Sequence, residues 1–236
     1  MDGRLASGTV DAIMRYAARA EWPAGFVIYQ RGTPAEGVFI VLEGRVVLRS
    51  RVRAGRGFIP WIATPGETFG AEGISSVPKY STEARADQAA TTLFLSAANY
   101  RSFLREQPIH SCALIAQILT ERSALLEKLR ELTTMSVEQR LIIALCRMAD
   151  FEAFNRHDGC LVLNTSDYRL LCELVGATRE SVSLVIGRFA AEGLIEKKAG
   201  SLLIQPDRLV QRMEELPMDD LFATTTSTTG AQNAIV

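Results

Sequence analysis

At Pro108 the hydrophobic period of this chain changes from about two residues to about 3.6, and that change divides what each half can become. Before it, from Phe26 to about Leu95, short apolar and β-branched runs are interrupted by Gly32, Gly37, Gly44, Gly55, Gly57, Gly66, Gly70 and Gly73, the punctuation of an all-β fold. Val38 to Leu42, then Glu43-Gly44, then Val46 to Leu48 predict two strands joined by a tight turn. A compact barrel or roll is expected, with Trp61, Phe69, Phe94 and Leu95 as core candidates. Val10 to Ala20 reads as a short flanking helix that stops near Pro23.

Pro108 suits the first turn of a helix, where its missing N–H costs nothing, and the helical pattern runs from Ile109 to Leu132. Leu114, Ile115, Ile118, Leu119, Leu125, Leu126, Leu129 and Leu132 form a stripe wider than one coiled-coil seam. Such a stripe has two surfaces to cover. One is expected to pack on the roll and the other on the same helix of a second copy; the alternative is that all of it lies in an intrachain core.

The second half reads as short helices. Val137 to Phe154 predicts a helix, Arg156-His157-Asp158-Gly159 a turn, and Leu161-Val162-Leu163 a strand. From Thr165 to Phe189 two capped helices then meet at Gly176. Thr165 suits an N-cap, Asp167 complements the first turn, Gly176 permits a left-handed end and Thr178 caps the next helix. This is a helix-turn-helix pattern, with the small Cys172 and with Val182 and Val185 at the helix contact. At 100° per residue Val182, Val185, Ile186 and Phe189 share one face of the second helix. Glu180, Ser183, Leu184 and Gly187 lie opposite, flanked by Arg179 and Arg188. Arg pairs with guanine, Glu accepts from cytosine N4, and a leucine contacts a thymine methyl, so that face suits base edges; the plainer alternative is a solvated helix face. Leu194 to Ile204 predicts a hairpin whose Lys197 and Lys198 suit phosphate contact, as in a wing.

Composition excludes the other broad classes. With net charge −1, 22% charged and 47% hydrophobic residues, the 236-residue chain matches a globular protein of one or two domains, so DNA binding must rest on a local surface. No run approaches the roughly 18 to 20 apolar residues of a membrane helix, and the start lacks a secretory pattern, so no membrane partner and a cytoplasmic location are expected. Cys112, Cys146, Cys160 and Cys172 are widely spaced and read as reduced thiols; no metal-ligand spacing is present. There is no P-loop, no GxSxG elbow and no nucleophile-base group, which argues against an enzyme. Phe222 to Val236 is a low-complexity tail.

Leu174-Val175-Gly176-Ala177-Thr178-Arg179-Glu180-Ser181-Val182, followed by Glu192-Gly193-Leu194-Ile195, resembles the Crp/Fnr family of bacterial transcription regulators. Gln30-Arg31-Gly32, Glu43-Gly44 and Pro65-Gly66-Glu67-Thr68-Phe69-Gly70 carry the likeness into the first half, and it spans about Trp22 to Gln211. The resemblance implies an α+β protein. Its parts would be a cyclic-nucleotide-binding-type β-roll (jelly roll) over residues 1–108, a dimerisation helix over 109–134, a winged helix-turn-helix over 135–217 and the tail over 218–236. It further implies a homodimer joined through Ile115, Ile118, Leu119, Arg122, Leu125, Leu126, Leu129 and Leu132. Double-stranded promoter DNA with an inverted repeat would meet Thr178, Arg179, Glu180, Ser183, Leu184, Arg188, Lys197 and Lys198, and RNA polymerase is a further expected partner. The different-class alternative is a cyclic-nucleotide- or small-molecule-responsive regulatory subunit that acts on protein partners.

Departures from the family pattern bear on the effector. A cyclic-AMP cassette resembles Gly-Glu-Leu with Arg-Ser-Ala some ten residues on; here Gly70 is followed by Ala71 and Glu72, and Tyr80, before Ser81, takes the arginine's place. Losing that arginine forfeits a charge-assisted contact worth roughly 1.5 to 3 kcal/mol. Glu72 with Lys79 or Arg85 would substitute only through a loop shift. Leu125 and Leu126 fall where the family presents hydroxyls to adenine. The pocket of Gly70, Ala71, Glu72, Tyr80, Ser81, Leu125 and Leu126 is therefore expected to be degenerate and cyclic AMP not to be its effector. Iron–sulfur and haem sensing lack ligands: no cysteine precedes Cys112, and His110 and His157 are the only histidines. No cofactor is expected.

Overall fold

The apolar run Val38 to Leu42 alternates between two buried environments, and the architecture of the first half follows from that. The computed structural model describes residues 4–51, 57–75, 79–150, 156–157, 160–198 and 200–215. The chain divides into two compact units, the first ending at Leu129 and including Cys172–Thr178, the second taking Arg130–Leu171 and the residues from Arg179 onward.

The first unit runs α1 (Ser7–Met14), β1 (Ala18–Trp22), β2 (Val27–Tyr29), β3 (Gly37–Glu43), β4 (Val46–Arg51), β5 (Gly57–Ala63), β6 (Thr68–Phe69), a 3-10 turn (Ala71–Ile74), β7 (Glu83–Ala86), β8 (Ala90–Ser96), α2 (Ala97–Glu106) and α3, Pro108–Thr134, whose last turn passes into the second unit. Two four-stranded antiparallel sheets, in the orders β1-β8-β3-β6 and β2-β7-β4-β5, form the roll. Phe39 and Val41 of β3 point between the sheets, where Tyr29, Phe69, Leu48 and Tyr80 join them. Val38 and Ile40 point the other way, into a cluster with Ile13, Leu93, Leu95, Phe103 and Leu114 under the helices. A strand buried on both faces reads as a continuous apolar run, which is why β3 shows no polar alternation. Each such buried Leu, Ile or Phe contributes on the order of 1.5 to 3 kcal/mol.

The two strands joined by a tight turn at Glu43-Gly44 are present as β3 and β4, with Gly44 at φ 79°. They do not pair with each other: β3 pairs with β8 and β6, and β4 with β5 and β7, so the turn carries the chain from one sheet to the other. The expected helix over Val10–Ala20 ends at Met14, and Ala18–Trp22 is an edge strand paired with β8. Helix α2 was not foreseen; its N-cap is Ser96, whose hydroxyl accepts from the Asn99 N–H at 3.2 Å. One close approach fixes the 3-10 turn, since a Cβ on Gly73 would overlap the Gly37 backbone.

The remaining elements are α4 (Val137–Asp150), β9 (Arg156–His157), β10 (Cys160–Asn164), α5 (Thr165–Val175), whose last residues from Cys172 count with the first unit, α6 (Arg179–Ala191), β11 (Ile195–Lys198), β12 (Ser201–Ile204) and α7 (Pro206–Glu215). A capping box starts α4: the Gln139 N–H donates to Ser136 Oγ at 3.2 Å and the Ser136 N–H to Gln139 Oε1 at 2.9 Å. Of the helix expected to Phe154, residues 151–154 lie outside the described residues, as do Asn155, Asp158, Gly159, Ala199 and the tail. Arg156-His157 is not a turn but a short strand paired with β10. The strands form one antiparallel sheet, β11-β12-β10-β9.

The cap of α5 is also corrected. Asn164 Oδ1 accepts from the Asp167 N–H at 3.1 Å while Asp167 Oδ2 accepts from the Asn164 N–H at 3.0 Å, so the capping residue is Asn164 rather than Thr165. At the other end Gly176 takes φ 65°, and its N–H donates to the Cys172 carbonyl at 3.0 Å. A left-handed residue there ends α5 in time for α6 to begin at Arg179.

Candidate functional site

Helix α6 has the two faces that its sequence predicts. Val182, Val185, Ile186 and Phe189 are buried, while Thr178, Arg179, Glu180, Ser183, Leu184 and Arg188 are exposed, with Leu184 at 70%. The Arg179 guanidinium lies over the Tyr168 ring, 5.6 Å from its centroid, which holds the side chain at the helix start. Tyr168 was missed from sequence; its spacing from Arg179 crosses the turn, so no helical period links them. Arg188 is engaged differently. Its Nη2 pairs with Glu138 of α4 at 3.0 Å, and Arg212 of α7 meets the same carboxylate at 3.3 Å. That pairing ties α6 into its own unit. Strands β11 and β12 form the predicted hairpin, and Lys197 and Lys198 are exposed on it, Lys198 beside Glu196 at 3.7 Å.

Helix α3 separates the leucine stripe into two faces. Leu114 is fully buried and Ile118 packs with it under the roll. Ile115, Leu119, Leu126 and Leu129 are exposed at 41%, 60%, 63% and 57%. Together with exposed Arg122 they are spaced four, three, four and three residues apart, the repeat of a helix seam. Leu125 and Leu132 are half-buried.

The inner face of α3 meets a cavity of about 230 Å3, lined by Leu48, Ser50, Phe58, Pro60, Glu72, Ser81, Thr82, Glu121 and Leu125. Of the seven pocket residues expected from sequence, Glu72, Ser81 and Leu125 line it. Leu126 is exposed, Gly70 and Ala71 are not among the described lining, and Tyr80 turns into the roll, where its ring stacks on Tyr29 with centroids 3.7 Å apart. Backbone bonds hold it there: the Tyr80 N–H donates to the Thr33 carbonyl at 3.1 Å and the Gly32 N–H to the Tyr80 carbonyl at 2.8 Å. Neither possible cationic substitute reaches the cavity, since Arg85 is held by the Gly25 carbonyl and Glu83, and Lys79 is exposed. Glu121 was missed, although it sits one turn before Leu125 on the same face. It is 7% exposed and accepts from the Thr68 hydroxyl at 3.1 Å; burial, reinforced by the nearby Glu72 and Glu67, pushes its carboxyl up to about 8. Glu121 is therefore largely protonated at neutral pH. Burial likewise pushes the Tyr29 and Tyr80 hydroxyls up.

Both units match known domain families. The cyclic nucleotide-binding domain matches residues 19–107, and the Crp-like helix-turn-helix domain matches residues 139–212. The chain belongs to the Crp/Fnr family. It is similar to a CRP-like cAMP-activated global transcriptional regulator of Mycobacterium tuberculosis, 24% identical over 86% of this chain and 91% of the relative. It is also similar to a cyclic AMP receptor protein of Thermus thermophilus, 26% identical over 89% and 94%. Among solved structures, a CRP/FNR-family transcriptional regulator from Thermus thermophilus shares the fold with a TM-score of 0.71, at 24% identity over 84% of this chain and 98% of the other. As a Crp/Fnr-type protein the chain is a transcription regulator with a helix-turn-helix DNA-binding domain, not an enzyme. Among the described residues, no helix is long and apolar enough to cross a membrane.

Proposed function

We propose that this Crp/Fnr-type regulator acts as a homodimer on an inverted-repeat promoter site and does so without cyclic AMP. The observation that carries the dimer is the line of Ile115, Leu119, Leu126 and Leu129, four large apolar side chains left open at seam spacing on a 27-residue helix. Pairing that line with its copy removes it from water and gives the two-fold symmetry that two DNA half-sites about 34 Å apart require. Thr178, Arg179, Glu180, Ser183 and Leu184 read or border the bases, Lys197 and Lys198 bind phosphate, and Arg188 braces α6 through Glu138. The dimer works in the cytoplasm with RNA polymerase as a further partner.

Independence from cyclic AMP is supported by the cavity: no basic side chain is among its described lining, two carboxyl groups are, and Tyr80 stands where the phosphate-binding arginine is expected. The competing reading, a cyclic-AMP-responsive regulator, is favoured by the names of the Mycobacterium tuberculosis and Thermus thermophilus relatives. Leu126→Glu tests the dimer. Placing a charge in a seam that each leucine stabilises by roughly 1.5 to 3 kcal/mol should give a monomer by sedimentation and abolish inverted-repeat binding. An unchanged dimer overturns the interface.

A further inference from the structure

One turn beyond Leu184 the exposed side of α6 carries Arg188, and this chain already holds its charge. The Arg188 side chain is half-exposed, yet its Nη2 lies 3.0 Å from Glu138 Oε2, a largely buried carboxylate in the first turn of α4. Arg212 of α7 meets the other oxygen, Glu138 Oε1, at 3.3 Å. Arg212 does not depend on that contact, because Glu192 and Glu215 also reach its guanidinium, at 3.5 and 3.4 Å. Glu138 is therefore left to offset Arg188. Gly187, next to that arginine, presents no side chain, and a Cβ there would have no neighbour within 4 Å among the described residues, so the guanidinium has room to swing outward. A free arginine on this side of a helix-turn-helix meets the phosphate of whatever sequence lies beneath it, because backbone contacts carry no sequence information.

We infer that Glu138 is a positioning residue for DNA binding: it keeps the Arg188 guanidinium on the protein and withholds that charge from the DNA backbone. The neutralised pair releases no counterion when DNA binds, and phosphate contacts supply essentially all of non-specific affinity, so the restraint falls hardest on unrelated sequences. The inference deepens the proposed bracing of α6 by Arg188, on which it rests, and uses neither the dimer seam nor the effector.

The test is the affinity of the full-length protein for unrelated duplex DNA, measured by fluorescence anisotropy over a series of salt concentrations. Glu138→Gln keeps the shape and an acceptor but not the charge. Its salt dependence should steepen by about one ion per subunit, so that affinity falls about three- to fourfold more per subunit than in the wild type between about 50 and 200 mM salt. Arg188→Gln alone should leave the slope within about half an ion of the wild type, since the charge it removes was already offset. Combining the two substitutions should restore the wild-type slope. A Glu138→Gln slope that does not steepen overturns the inference and leaves the brace standing. Steepening that persists in the double variant also overturns it, because the effect then comes from losing an acid rather than from freeing Arg188. Flattening by a full ion in Arg188→Gln overturns inference and brace together, since that arginine is then already on phosphate.

Discussion

Glu121 is a carboxyl held far from its ordinary behaviour. Its carboxyl is raised from 4.5 to about 8 by burial beneath Thr68, with Glu72 and Glu67 adding to the shift. Across that interval the folded chain holds a proton that the unfolded chain has released, so stability falls as pH rises from about 4.5 to about 8. Glu121→Gln should remove that fall and stabilise the protein above pH 8, by an amount on the order of a few kcal/mol. Denaturant melts of both proteins at a series of pH values check it, and parallel profiles would contradict the assignment. On α6, Arg179 and Lys197 should separate by kind. Arg179→Ala is expected to cost roughly 1 to 3 kcal/mol at one base pair, while Lys197→Ala weakens every sequence and lowers the salt dependence by about one ion. Binding assays across single-base variants and salt concentrations read both; an Arg179→Ala loss spread evenly over all sequences would place that arginine on phosphate.

Among the elements, the 3-10 turn Ala71–Ile74 depends on one residue's lack of a side chain. Gly73→Ala should lower roll stability by more than about 2 kcal/mol, because the new Cβ meets the Gly37 backbone rather than a flexible side chain; a melting temperature unchanged from wild type would show that the turn and the start of β3 are not in contact. Elements whose signal is local were legible in the sequence. The winged hairpin, the two faces of α6 and the span of α3 follow from periodicity and turn residues over short distances. What was not legible depends on partners far along the chain. Nothing near Glu43-Gly44 says that β4 leaves for the other sheet, because that is decided by β7 and β8 some forty residues on. Edge strand β1 hid in a helical pattern for the same reason: its pairing with β8 outweighs the local preference. In the cavity, the stacking of Tyr80 on Tyr29 and the turning of Glu72 onto Ser81 are side-chain choices made by the packed roll, and no local pattern announces them.

At the scale of the whole molecule, an effector-type roll is joined to a winged helix-turn-helix by a long helix with an open apolar face. A ligand moves an equilibrium only through differential affinity, so the proposed independence from cyclic AMP means that the nucleotide does not favour the DNA-binding state. The most direct measurement is the affinity of the purified protein for an inverted-repeat DNA selected from random sequence, taken at fixed salt with and without cyclic AMP. The account predicts specific binding at least about a thousandfold tighter than to unrelated DNA, unchanged by the nucleotide. DNA binding that appears only when cyclic AMP is present would contradict it.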